Sequence, residues 1–243
     1  KSSCIFAFHL FVIVLVILLM PLVTVLVGGT VAGLAAFGGY RLHGFIQGIR
    51  MYREKTKSEW VAVPLSFLQL RRDAPSPELR FFRINDEVMG GKSTSSLSYA
   101  DALLFRGTIN TNGGGFASCR TLGDDAPLGL RTGGALLVDA AGDGMRYKVT
   151  LHTSDSWSMR IPSWSYDFIA AGERATYRMP LADFVASRQG GAAKGATLDA
   201  QQVTGIGFSL SLYTADGEPN PDFGPGPFRL EVHGVQEVDD ESG

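Results

Sequence analysis

The fold is decided by the stretch from Arg83 to Arg120. It opens Arg83-Ile84-Asn85-Asp86-Glu87-Val88-Met89-Gly90-Gly91-Lys92-Ser93. It closes Phe105-Arg106-Gly107, then Gly113-Gly114-Gly115-Phe116-Ala117-Ser118-Cys119-Arg120. Paired glycines at two places mean that the backbone turns sharply there or is approached closely. Between them, Leu97 to Ile109 has strand chemistry. Two glycine corners flanking a strand are a β signal, and nothing in the stretch forms a catalytic constellation. Asn85, Asp86 and Ser93 flank the first corner. Such residues either hydrogen-bond nearby backbone and stabilise a turn or form a polar partner surface or cation site. Arg106 and Arg120 either reach an acidic partner or pair with Asp86.

Outward from this stretch the alternation continues. Ile206, Phe208, Leu210 and Leu212 alternate with Gly207, Ser209 and Ser211. Tyr147, Val149 and Leu151 alternate with Lys148, Thr150 and His152, and Phe228, Leu230 and Val232 with Arg229, Glu231 and His233. Period-two patterning gives strands with one buried face. Leu136–Val138 and Thr176–Met179 are further strand candidates, Leu181–Ser187 reads as a short helix, and residues 189–196 as a Gly/Ala-rich loop. Turns fall at Gly133-Gly134, Gly142-Asp143-Gly144, Asp216-Gly217 and Pro219–Pro227. Many short strands with few helical patterns indicate an all-β sandwich.

The same residues carry a family resemblance. Asn85-Asp86-x-Val88-Met89-Gly90-Gly91-x-Ser93, Phe105-x-Gly107 and Gly114-Gly115-Phe116-Ala117-Ser118-x-Arg120 resemble the complex I intermediate-associated protein family. So do Gly142-Asp143-Gly144-Met145-Arg146-Tyr147, Met179-Pro180-Leu181, Ile206-Gly207-Phe208 and Gly226-Pro227-Phe228. The resemblance covers residues 78–238. It implies a galactose-binding-like jelly-roll sandwich in an assembly factor of respiratory NADH:ubiquinone oxidoreductase, with relatives in chloroplasts. Two departures stand out: Phe81-Phe82 replaces a Trp that often precedes the Met-Gly-Gly motif, and Tyr177 stands where another Trp is common.

The N-terminal part is of another kind. Between Lys1 and Arg41 no residue carries a formal charge, and the run is almost wholly apolar. About 20 apolar residues cross a bilayer as a helix, so residues 1–40 are read as a transmembrane segment. One tilted or kinked span near residues 8–34 is favoured, with a hairpin broken at Pro21 or Gly28-Gly29 as the alternative. Gly29-x-x-x-Gly33 either lets helices pack closely or reflects the general abundance of glycine in membrane helices. Arg41, Arg50, Arg53, Lys55 and Lys57 then outnumber Glu54 and Glu59, which places the following domain on the matrix or stromal side. Residues 41–77 are read as a basic interfacial helix and linker, 78–238 as the sandwich and 239–243 as an acidic tail.

Other chemistry is excluded or left as an expectation. The net charge of −2 over 243 residues offers no field for nucleic acid, and Cys4 and Cys119 suit neither a metal site nor a disulfide framework. Asp124, Asp125, Asp139, Asp143 and Asp155 are scattered carboxylates without calcium-loop spacing. His152 and His233 read as exposed and inert. Trp157, Trp164 and Tyr166 are aromatics for a protein interface, a core or a sugar-stacking surface, with the interface preferred. No cofactor or catalytic residue is expected. The candidate interface or motif residues are Asn85, Asp86, Met89, Gly90, Gly91, Ser93, Gly114, Gly115, Phe116, Ser118, Arg120, Trp157 and Trp164. The expected protein is a non-enzymatic, membrane-anchored assembly factor or accessory subunit of a large complex in the mitochondrial inner membrane or the thylakoid. The alternative is a membrane-tethered carbohydrate-binding module.

Overall fold

The computed structural model describes residues 59–70, 78–121, 126–153, 161–188, 191–193 and 195–239. Two sheets pack face to face. The larger runs in the order β1 (Val61–Pro64), β3 (Glu78–Asn85), β6 (Phe116–Thr121), β13 (Val203–Ser211), β8 (Arg146–Thr153), β9 (Ser163–Ile169), β11 (Val185–Arg188) and β12 (Gly191–Ala192). The smaller runs β10 (Ala175–Pro180), β7 (Gly134–Ala141), β14 (Gly226–Asp239), β5 (Leu103–Ile109) and β4 (Thr94–Tyr99). A two-residue strand, β2 (Leu68–Gln69), joins β14 in parallel. All other pairings between named strands are antiparallel.

Alternating side chains meet between the sheets. Phe81 stacks on Phe208 at 6.3 Å within the larger sheet, and Phe105 meets Phe228 edge-on at 4.9 Å within the smaller one. Phe67 packs edge-on against both Phe81 and Tyr99, so it bridges the layers. Tyr147, Val149 and Leu151 are fully buried along β8, as their alternation predicts. Cys119 is buried among them, and burial pushes its thiol pKa far above the ordinary value, which leaves it unreactive.

Four expectations are corrected. The sandwich begins before residue 78: Val61–Pro64 pairs with β3 and Leu68–Gln69 with β14, so part of the expected linker is sheet. Val63, Phe67 and Leu68 are buried there, which gives the segment its place despite Pro64. Leu97 to Ile109 is not one strand but the β4–β5 hairpin, turning at residues 100–102. Leu181–Ser187 is a single 3₁₀ turn, Leu181–Asp183, followed by β11; Val185 and Ser187 pair with β9, which overrides the weak helical pattern. The Gly/Ala-rich loop contributes β12 at Gly191–Ala192. Gly29, Gly33, the expected span and Trp157 lie outside the described residues. Among the described residues no helix is long and apolar enough to cross a membrane.

Candidate functional site

The motif residues divide between two places. The first is a closed corner built around Asp86, which is fully buried at the start of the 3₁₀ turn Asp86–Met89. Its carboxyl accepts the Ser93 N–H at 2.9 Å and the Ser93 hydroxyl at 2.7 Å, and its own carbonyl accepts the Gly91 N–H at 2.9 Å. The Ser93 hydroxyl oxygen in turn accepts the Asn110 N–H at 3.0 Å, tying the corner to the end of β5. The glycines make room for this carboxyl. A Cβ at Gly91 would lie 2.3 Å from Asp86 Cγ, and one at Gly114 would lie 2.2 Å from Asp86 Oδ2. Gly90 closes the turn at φ +90°, a left-handed conformation that side chains resist. Asn85 is buried beside them, its amide 2.6 Å from the Ser95 hydroxyl. Asn85, Asp86, Gly90, Gly91, Ser93 and Gly114 are therefore architectural. Met89, by contrast, is 59% exposed at the rim.

The second place is a groove of about 340 Å³ on the outer face of the larger sheet. Register fixes its layout. One row across the strands carries Ile84, Ser118, Ser209, Lys148 and Asp167, and the next Phe82, Arg120, Gly207, Thr150 and Ser165. His152 stands opposite Gly205, in register with the groove pairs and next to a register shift between Val203 and Gly205. Bulges of this kind occur beside functional sites, where they re-aim side chains. Gly205 and Gly207 leave the central strand bare. Arg120 crosses it, because a Cβ at Gly207 would lie 2.7 Å from Arg120 Cβ. The guanidinium then reaches His152, with Nη1 at 3.5 Å from Nδ1, while its Cζ lies 5.7 Å from the Phe82 ring centre. Because Arg can only donate, Nδ1 is the acceptor and the proton of the neutral ring sits on Nε2. Burial first, and Arg120 second, hold the His152 pKa well below the ordinary imidazole value. His152 is thus half-buried against Arg120 and not the exposed side chain expected from its strand position.

Around this centre the chemistry is that of hydroxyls and fixed cations. Thr150 Oγ1 and Ser165 Oγ lie 2.9 Å apart, and Ser118 Oγ donates to the Ile84 carbonyl at 2.7 Å. Lys148 Nζ donates to the Tyr213 carbonyl at 2.8 Å, and burial lowers its pKa against the raising effect of Asp167. Asp167 accepts the Ala215 N–H at 2.7 Å, and burial raises its carboxyl pKa. At one end of β6 the Leu212 N–H donates to the Gly115 carbonyl at 2.9 Å.

Of the candidates, then, Phe116, Ser118 and Arg120 line the groove and Gly115 borders it. Arg120 pairs across β13 with His152, not with Asp86. Trp164 does not serve an interface: it is buried on the interior face of β9 with Phe168, and Tyr166 on that face packs against Phe184 at 5.6 Å. Asp143 is a turn residue, accepting from Tyr147 Oη at 3.0 Å, Met145 N at 3.1 Å and Arg229 N at 2.7 Å. Among the described residues no three His, Cys, Asp or Glu side chains gather to hold a metal. Lys148, Thr150, His152 and Ser165 were missed as groove residues. Their polar alternation placed them on one outer face, but only strand order sets that face beside Arg120.

Residues 70–232 match the family described as Complex I intermediate-associated protein 30 (CIA30). The chain belongs to the CIA30 family. No curated protein matches it significantly. Among solved structures, it is similar in two-sheet architecture to the family 11 carbohydrate-binding module of a cellulosomal cellulase of Clostridium thermocellum, with 13% identity, a TM-score of 0.40 and coverage of 68% of this chain and 94% of that one. A family 29 carbohydrate-binding module complexed with mannohexaose gives 12% identity, a TM-score of 0.36 and coverage of 74% and 92%. An exo-β-agarase gives 9% identity, a TM-score of 0.40 and coverage of 73% and 25%. In this CIA30 domain the Asp86 corner and the Arg120 groove are the two structures that residues 85–120 help to build.

Proposed function

We propose that this CIA30 chain is a non-enzymatic, membrane-anchored assembly factor or accessory subunit of a large organellar energy-transducing complex, either respiratory complex I or a thylakoid photosystem. Its sandwich acts through protein–protein contacts on the matrix or stromal side. The observation that carries this reading is the match of residues 70–232 to a family named for complex I intermediates. The basic flank at residues 41–57 supports the side of the membrane.

A second reading, a membrane-tethered carbohydrate-binding module, is favoured by the hydroxyl-lined floor of the groove. Against it, Trp164 is buried and unable to stack on a sugar ring.

Mild-detergent solubilisation of the native membranes, native-gel separation and mass spectrometry test the proposal. Stoichiometric co-migration with a finished complex identifies an accessory subunit, and appearance only in smaller intermediates an assembly factor. Migration alone, with retardation in a soluble-glucan affinity gel, overturns both.

A further inference from the structure

We infer that the free edge of β4 takes an added strand from a partner protein, an extended segment of alternating apolar and polar residues with a carboxylate opposite Ser96 that reaches Arg106. This inference rests on the protein-docking reading above and names the surface used and the chemistry of the partner.

Three observations carry it. The first is the state of the sheet edges. An open edge invites pairing with another chain unless it is short, charged or broken by proline. In the larger sheet β12 has two residues, and β1 has four and closes on Pro64. In the smaller sheet β10 carries Arg178 and ends at Pro180. β4 has none of these devices. It is six residues long, Thr94-Ser95-Ser96-Leu97-Ser98-Tyr99, without charge or proline, and it pairs with β5 alone. The Asn85 amide, oriented to satisfy its partners, accepts the Ser95 N–H at 3.2 Å, so the Ser95 backbone faces away from β5. Backbone direction alternates along a strand. The N–H and C=O of Leu97 and Tyr99 therefore face outward too, and no hydrogen bond meets them there among the described residues.

The second is the apolar row behind that edge. Leu97 and Tyr99 are half-buried, whereas Phe105 and Leu103, opposite them on β5, are fully buried. Both pack on the core, Tyr99 edge-on against Phe67. A strand laid beside β4 sets its own apolar side chains directly opposite Leu97 and Tyr99 and completes their cover.

The third is charge. Ser96, Arg106 and Arg229 form one row across β4, β5 and β14. Arg229 is paired with Glu231. Asp143, which lines the same hollow, is held by the Tyr147 hydroxyl and by the Met145 and Arg229 N–H groups. Arg106 is exposed and has no hydrogen bond or ion pair among the described residues. Only the small Ser96 stands between it and the edge. A carboxylate on the added strand, two strand spacings or about 10 Å from the Arg106 backbone, meets the guanidinium over Ser96. A second copy of β4 supplies no such carboxylate, since its residues are uncharged.

The test uses the full chain in lipid nanodiscs and a fluorescent peptide, Gly-Ser-Val-Thr-Val-Glu-Val-Ser-Gly, read by anisotropy. Antiparallel pairing with Glu opposite Ser96 places the central Val opposite Leu97 and the first Val opposite Tyr99. The expected result is saturable binding. N-methylation of the central Val, whose N–H faces β4, is expected to weaken it about tenfold or more, and N-methylation of Glu, whose N–H faces away, to leave it within about twofold. Replacing the peptide Glu by Gln, or Arg106→Gln in the protein, is expected to weaken binding about fivefold or more. The two losses should not add, because they break one contact. Arg106→Gln removes no contact from the free chain, so its unfolding midpoint should match the parent's. Equal effects of the two N-methyl groups, equal binding of the Glu and Gln peptides, or indifference to Arg106→Gln overturns the inference. Native-gel co-migration that persists without this discrimination overturns the recognition chemistry while leaving the assembly role standing.

Discussion

The Asp86 corner and the Arg120 groove lie at the two ends of one sequence motif, yet they use polar groups in opposite ways. At the corner a carboxyl is taken fully out of water and surrounded by backbone, a hydroxyl and two glycines that exist to admit it. In the groove a guanidinium and an imidazole are laid over glycines on an open face. Glycine serves both, by making room for the Asp86 carboxyl in one and for the Arg120 side chain in the other. One stretch of sequence can therefore place polar groups under two demands, one in a buried corner and one on an open face, and only geometry assigns each residue to its demand.

The sharpest way to break the comparison is at Asp86. Asp86→Ala strands the Ser93 N–H and hydroxyl in a buried site, an expected loss of about 3 kcal/mol. For a domain of this size that lowers the thermal midpoint by roughly 10 °C, measurable by circular dichroism. Next come Gly91→Ala and Gly114→Ala, each expected to cost about 1–3 kcal/mol because the new methyl overlaps the Asp86 carboxyl. A double-mutant cycle sharpens the claim: the cost of Gly114→Ala should shrink in an Asp86→Ser background, since the two changes share one contact. Additive costs would show that Gly114 is required for another reason.

Gly207→Ala belongs with these glycine substitutions: its methyl would lie 2.7 Å from both the Cys119 carbonyl oxygen and Arg120 Cβ, so it should cost about 1–3 kcal/mol as well as displacing Arg120. The pH dependence is smaller again. His152 has a folded pKa well below its unfolded value near 6.5. Between those two values the unfolded chain binds the extra proton, so stability is full above about 6.5 and falls as pH drops through that window. Urea midpoints measured across the mildly acidic range should show this slope, and His152→Gln should flatten it.

Much of the sandwich was legible because its strands each bury one face: Tyr147, Val149 and Leu151, or Phe228, Leu230 and Val232, alternate in the sequence as they do in the core. Less legible was β1 with β2. Val61–Pro64 and Leu68–Gln69 are too short to show a period, and Pro64 reads as a linker residue; their place is set by partners distant in sequence, β3 and β14. The structural role of Asn, Asp and Ser at the corner was readable as turn chemistry. What could not be read was that Gly91 and Gly114, from separate corners, close on the same carboxyl. The groove was half visible. Phe116, Ser118 and Arg120 stood out in the motif, whereas His152 meets Arg120 only because β13 lies between β6 and β8 and carries glycine at the crossing. Trp164 misled because an aromatic flanked by serines reads equally well as surface or core, and its strand parity turns it inward.

The contrast between corner and groove is tested most directly by Arg120→Gln, followed by thermal unfolding of the purified chain. The account predicts a midpoint within about 4 °C of the parent, the shift of roughly 1 kcal/mol. A drop in midpoint as large as that of Asp86→Ala would contradict it.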